Sequence, residues 1–235
     1  MGSCVLCIVV HNNHLYVANS GDSKAKLFRR EGISFESGND YEPYETRRYT
    51  PIKISNCHNA GKLVEQIKLR EKFKNEKDII IDKGTACYVK GRLQPTKSIG
   101  DLFLKHKEFN EIVNKSEQSQ KFFKKVLQNF NGPYIEHLPE VMRFELSDKD
   151  EFIVLASDGL WDWLDGYEVA EILEIFCLDG AKAIEELYKC ALTKAAQKIN
   201  LSVEELEHLP VSVRRSIYDD ISIILVDLKN QTKNK

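Results

Sequence analysis

With 235 residues, 42% of them apolar and 30% charged, the chain has an ordinary globular composition and is long enough for one large domain or two small ones. A net charge of -2 without a concentrated basic field argues against nucleic acid as a partner, and no apolar run approaches the length that spans a bilayer. Six scattered cysteines form neither a metal-ligand pattern nor a disulfide framework, which points to a reducing, intracellular compartment, cytoplasmic or nuclear.

In chain order, Cys4–Val10 and Leu15–Asn19 are predicted as strands joined by the turn His11-Asn12-Asn13-His14. After Gly21-Asp22, Ser23–Arg30 reads as a third strand, so the three are expected to form an antiparallel meander. Polar Ile33 to Thr50, with Gly38, Asn39 and Pro43, reads as an irregular excursion. Ala60 to Phe73 sets Leu63, Ile67 and Leu69 among lysines and glutamates, the pattern of a surface helix. Short strands are expected at Asp78–Asp82 and Cys87–Val89 around Gly84. Asp101 to Asn131, rich in Lys, Asn and Phe, lacks clean periodicity and reads as a helical insertion or a flap.

The last third alternates clearly. Val141–Leu146 and Glu151–Ala156 read as strands, and Gly166–Cys177 and Gly180–Ile199 as helices. Ser202-Val203-Glu204-Glu205 has the form of a capping box that opens a short helix. Ile221–Leu228 closes the chain as a strand before a frayed tail, 230–235. The order predicts an α+β protein in which antiparallel sheets pack against paired helices.

Five consecutive apolar residues, Phe152 to Ala156, are too short for an ordinary helix and imply a strand buried on both faces. It ends in Ser157-Asp158-Gly159, with Asp162 four residues after the first acid. A rigid strand end can hold Asp158 where it coordinates a hard cation; equally, Asp158 can serve as a helix cap. Asp22 likewise follows a strand, and Asp219-Asp220 immediately precedes the last one. Each is an ordinary turn residue when taken alone. Gathered at one sheet rim, such carboxylates would repel one another without a divalent cation, and oxygen-only donors favour magnesium or manganese over zinc.

Six segments in order then resemble the metal-dependent protein phosphatases of type 2C. They are Gly2-Ser3-Cys4, Ala18-Asn19-Ser20-Gly21-Asp22-Ser23-Lys24-Ala25, Ile54-Ser55 with His58-Asn59, Leu93 to Asp101, Leu155-Ala156-Ser157-Asp158-Gly159-Leu160-Trp161-Asp162, and Asp219-Asp220-Ile221-Ser222. The resemblance implies that family's antiparallel β-sandwich flanked by helix pairs, Mg2+ or Mn2+ as cofactor, and hydrolysis of phosphoserine and phosphothreonine in proteins by a metal-activated water. By motif position Asp158 contacts a cation pair, Asp219 binds the second cation, and Asp22 joins Asp158 and Asp162 in a weaker third site. Gly100-Asp101 mainly supports the fold. Lys97 stands where the family has Arg, and Cys57 where it has Asp.

The family's Asp-Gly-His-x-Gly segment, which carries a bridging Asp and a general-acid His, has no match here. The expectation is therefore an N-terminally truncated domain, residues 1–229 being its C-terminal part. It would act on a phosphoprotein, without nucleic acid or membrane, as a monomer when complete. The alternative is a non-catalytic phosphatase-like module with a regulatory or interaction role.

Overall fold

A computed structural model of the chain describes residues 1–36, 44–112, 127 and 129–229. It begins with β1 (Gly2–Ser3), β2 (Val5–His11), β3 (His14–Ser20), β4 (Lys24–Glu36) and β5 (Tyr44–Lys53). Next come α1 (Leu63–Lys72), β6 (Ile80–Asp82), β7 (Cys87–Val89), β8 (Ile99–Gly100), a 3-10 turn at Leu102–Leu104, and α2 (Lys107–Ile112). The last third holds β9 (Glu140–Glu145), β10 (Asp150–Ala156), α3 (Asp158–Trp161), α4 (Gly166–Ile175), α5 (Gly180–Lys198), α6 (Val203–His208), α7 (Val211–Ile217) and β11 (Ile223–Asp227). Sheet orders are β1-β8, β2-β3-β9, β6-β7 and β11-β10-β4-β5. This is the expected α+β class.

Most predicted elements form within a residue or two of their expected ends. Asn12 and Asn13 have φ of 46° and 61°, the two left-handed residues that a tight turn between adjacent twisted strands requires. Two expectations need correction. The first three long strands are not one meander, because β4 leaves β2 and β3 for the four-stranded sheet. The break falls at Gly21, whose φ of 133° ends β3 and redirects the chain.

Nor are residues 33–36 and 44–50 irregular. The strands β4 and β5 pair antiparallel from Lys26–Lys53 out to Glu36–Tyr44, with one register shift between Arg30 and Gly32. A backbone ladder needs no apolar side chains where its strand lies at a sheet edge, so the polar sequence concealed it. Residues 37–43, with Gly38, Asn39 and Pro43, lie outside the described residues, as do 113–126 and 128 of the expected insertion and the tail from 230. Sequence reading also missed α7.

The chain forms two compact units. The first comprises Met1–Ile8, Val17–Ser23 and Asn56–Met142. Its core gathers Leu69 and Phe73, at and just beyond the end of α1, with Ile79, Val89, Leu104, Tyr134 and Ile135. Leu63 and Ile67 of α1 stay exposed, as a surface helix requires.

The second unit comprises Val9–Tyr16, Lys24–Ser55 and Arg143–Lys235. Its core packs Phe28, Tyr49, Phe152, Val154 and Ala156 of the sheet against Trp161, Val169, Leu173, Leu187 and Ala191 of the helices. All seven residues of β10 are buried, between β11 and β4. Capping boxes open α4 (Asp165 with Glu168) and α6 (Ser202 with Glu205), and the second was legible in sequence.

The charged start of β10 is buried and therefore paired. Arg29 Nε donates to Asp150 Oδ1 at 2.7 Å, and the backbone amide of Ser147 donates to Asp150 Oδ2 at 2.7 Å. Burial pushes the Asp150 carboxyl up, but these bonds outweigh it and hold the carboxyl below the usual range. A depressed carboxyl stabilises the fold above its unfolded value of about 3.9 and loses that contribution as pH falls through the folded value. Asp150→Asn should therefore cost about 2 kcal/mol at pH 7 in urea unfolding. The gap from wild type should narrow steadily below about pH 4; a gap that persists undiminished in acid contradicts the assignment.

Candidate functional site

In the second unit, β10 delivers the chain to Ser157, whose extended φ and ψ of -65° and 168° make it the N-cap of α3. Asp158 is thus the first helical residue rather than the cap, which corrects the capping alternative. The Ser157 side chain makes no cap bond to α3. Instead its hydroxyl donates to the Asp220 carbonyl at 2.9 Å and accepts from the Ser222 amide at 3.0 Å. The Ser157 amide also donates to the Ser222 carbonyl at 3.1 Å, continuing the pairing of Ala156 with Ile223.

Gly159 closes the same seam. A Cβ at this position would come within 2.6 Å of the Asp220 carbonyl oxygen and 3.0 Å of that of Asp219. Both oxygens belong to backbone that cannot swing aside, so only glycine fits here. The turn carrying Asp158 and the turn carrying Asp219 are therefore in direct backbone contact, although more than fifty residues separate them in sequence.

The acids near this seam make local bonds. Asp158 Oδ1 accepts from the Gly159 amide at 3.0 Å, and Asp219 Oδ1 from the Asp220 amide at 2.7 Å. Asp162 follows α3, is exposed, and donates its amide to the Asp158 carbonyl at 2.9 Å. Asp220 pairs with Arg215 at 2.7 Å. At the far end of α3, Trp161 is 8% exposed, and its Nε1 donates to the carbonyls of Lys24 and Ala156 at 3.0 and 3.2 Å. The core placement anchors α3, and with it the Asp158 turn.

Asp22 belongs to the first unit, where it is buried. The Cys4 thiol donates to its Oδ1 at 3.1 Å and the Asn59 amide to its Oδ2 at 2.9 Å. Cys57, in the position where an acid was expected, donates its thiol to the Asp22 carbonyl at 3.7 Å. His58 is fully buried, with Nδ1 beside the Gly21 carbonyl at 3.1 Å and Nε2 beside Glu140 at 3.0 Å. Burial pushes the Glu140 carboxyl up, but bonds from Asn56 and His58 prevail and hold it below the usual range. Asp101 is buried and accepts from the Ser98 hydroxyl at 2.8 Å. A Cβ on Gly2 would meet its carboxylate at 1.8 Å, so a larger residue there would force the buried Asp101 side chain to move.

Carboxylate oxygens at the Asp158–Asp219 seam suit a hard divalent cation in donor chemistry. Among the described residues, no three His, Cys, Asp or Glu side chains gather in an arrangement that could hold a metal ion. Sequence reading picked out the acids of the seam but missed Ser157 as the residue that joins their turns. The available signal was two strand-end motifs, each pairing serine with aspartate.

Residues 1–199 match the family model described as Protein phosphatase 2C. The chain belongs to the protein phosphatase 2C family. It is 34% identical over 228 residues to Probable protein phosphatase 2C 67 of Arabidopsis thaliana, covering 97% of this chain and 56% of that one. It is 31% identical over 226 residues to Probable protein phosphatase 2C 36 of Oryza sativa subsp. japonica, covering 96% and 53%. The chain therefore spans about half the length of these type 2C relatives. Among solved structures, a serine-threonine phosphatase 2C from Toxoplasma gondii aligns with TM-score 0.52 at 13% identity, covering 95% of this chain and 57% of the other. A C. elegans sex determining protein aligns with TM-score 0.52 at 15% identity, covering 97% and 40%. At such identities the likeness is one of fold alone.

Proposed function

We propose that this chain carries the C-terminal part of a metal-dependent protein phosphatase domain that hydrolyses phosphoserine and phosphothreonine in phosphoproteins. The observation that carries the reading is the seam at which Ser157 and Gly159 lock the Asp158 turn against Asp219. Family membership supplies the reaction class, and the seam supplies a reason for these acids to be held together. Asp158 and Asp219 are the proposed cation ligands, with Asp162 as a further acid of the same unit. Mg2+ or Mn2+, when bound, would supply a water acidic enough to attack phosphorus at neutral pH. What the chain itself contributes is position: buried β10 and anchored α3 keep Asp158 from swinging, and the backbone seam keeps Asp219 beside it. No helix among the described residues is long and apolar enough to cross a membrane. A cytoplasmic or nuclear setting and a monomeric state belong to the same proposal.

The test measures phosphate release from a phosphothreonine peptide with manganese titrated. Residues 1–235 are assayed alone and co-expressed with the part of the Arabidopsis relative that this chain does not match. The expected result is manganese-dependent turnover in the pair and very little in the chain alone. Cation binding by the pair without turnover would assign the chain to a non-catalytic phosphatase-like module instead.

A further inference from the structure

Helix α7 lies between α6 and the Asp219 turn in sequence and is weakly held. None of its residues is buried, and its N-cap, Pro210, offers no side-chain bond. Val211 and Val213 are 60% and 42% exposed. Its apolar anchor is Ile217, half-buried against the cluster of Ala195, Ala196 and Leu206, so little apolar burial opposes local opening of the rest of the segment. Its last turn reads Arg214-Arg215-Ser216-Ile217. Ser216 is exposed and donates its hydroxyl to the Val213 carbonyl at 2.6 Å, while Arg215 pairs with Asp220.

We propose that Ser216 is a phosphorylation site for a basophilic protein kinase, and that phosphate there opens the last turn of α7 and draws Arg215 away from Asp220. Two arginines immediately before a hydroxyl offer the charge that an acidic kinase cleft selects, and opening of α7 frees half-buried Arg214 along with Arg215. The Ser216 oxygen attacks the γ-phosphorus of ATP, the bond to the β-phosphate oxygen breaks, ADP leaves, and the hydroxyl proton passes to the kinase's base. Thr50 also follows an arginine pair, in Arg47-Arg48-Tyr49-Thr50. It is locked in the β4–β5 ladder opposite Arg29, its hydroxyl is bonded to Glu31, and Tyr49 beside it is only 4% exposed. The fold thus selects Ser216 over the site with the comparable sequence.

The consequence follows from charge. A phosphate near a helix C-terminus meets carbonyl oxygens of its own sign, and it removes the hydroxyl that now bonds Val213. Arg215 gains a dianion as partner in place of the exposed Asp220 carboxylate. The Asp220 carbonyl is the atom that Ser157 holds and against which Gly159 packs, so the disturbance reaches the Asp219 turn. This last step rests on the proposed phosphatase reading; the modification itself does not.

The full chain is incubated with ATP and the catalytic subunit of a cyclic-AMP-dependent protein kinase, with a free peptide spanning 210–218 as control. Expected are one phosphate on Ser216 by tandem mass spectrometry, none on Thr50, and none in Ser216→Ala. Amide exchange across 211–218 should accelerate about fivefold in the phosphorylated chain. Phosphate on the peptide but not the chain, or on Thr50 instead, overturns the site. Phosphate on Ser216 with unchanged exchange overturns the opening. A separate manganese titration of the co-expressed pair then tests the link to the acid seam: weaker binding after phosphorylation supports it, and equal binding removes it. A pair that binds no manganese even when unmodified counts against the phosphatase reading and leaves the mass and exchange results standing.

Discussion

Trp161→Ala should lower the stability of the chain by about 3–5 kcal/mol, the usual cost of deleting a large buried aromatic. The indole is 8% exposed and packs in the core that joins the four-stranded sheet to α4 and α5. Its Nε1 donates to two carbonyls, those of Lys24 and Ala156, which sit opposite one another on β4 and β10. Alanine removes both the volume and the donor. Trp161→Phe retains most of the volume and should cost about 1–2 kcal/mol, which isolates the lost hydrogen bonding. Trp163, only partly buried and with Lys198 Nζ 5.2 Å from its ring, should tolerate alanine better. Urea unfolding of the three variants decides the matter. An unchanged midpoint for Trp161→Ala would return this residue to the surface role that exposed aromatics often play.

Why was so much of this fold legible? Local signals were read correctly wherever one short stretch decides the structure. Five apolar residues between polar turns marked buried β10, Asn12-Asn13 marked the tight turn, and Ser202 with Glu205 marked the start of α6. Elements decided by distant partners were hidden. The outer parts of β4 and β5 are polar, and their pairing is a backbone matter with little side-chain signature. Helix α7 fully buries no residue and turns only Ile217 toward a core cluster, too little for a periodic apolar stripe to show in sequence. The candidate site divides in the same way. Aspartates beside glycines and strand ends were visible as types, whereas the role of Ser157 depends on residues 63 and 65 positions further along. A single sequence displays chemistry at each position; it displays juxtaposition only through motif order.

In the co-expressed pair, Asp158→Asn should reduce manganese-dependent turnover by more than roughly 100-fold, since even a residue that only supports a ligand is worth 10–100-fold. An amide cannot offer a cation the charge of a carboxylate, and among the described residues no three candidate ligands gather that could compensate. Ser157→Ala should fall within that lower range, and its loss should take a diagnostic form. Without the hydroxyl, the Asp220 carbonyl and the Ser222 amide lose their partner, and the two acid-bearing turns separate. The manganese concentration for half-maximal rate should rise while turnover at saturating manganese largely returns. Ser157→Thr, which keeps the oxygen, should restore most of the affinity. A merely structural serine would shift thermal unfolding and leave the manganese titration in place. The outcome that sinks the proposal is robust turnover by residues 1–235 alone that disappears in Asp158→Asn, because it would mean that this chain's own acids complete the shell.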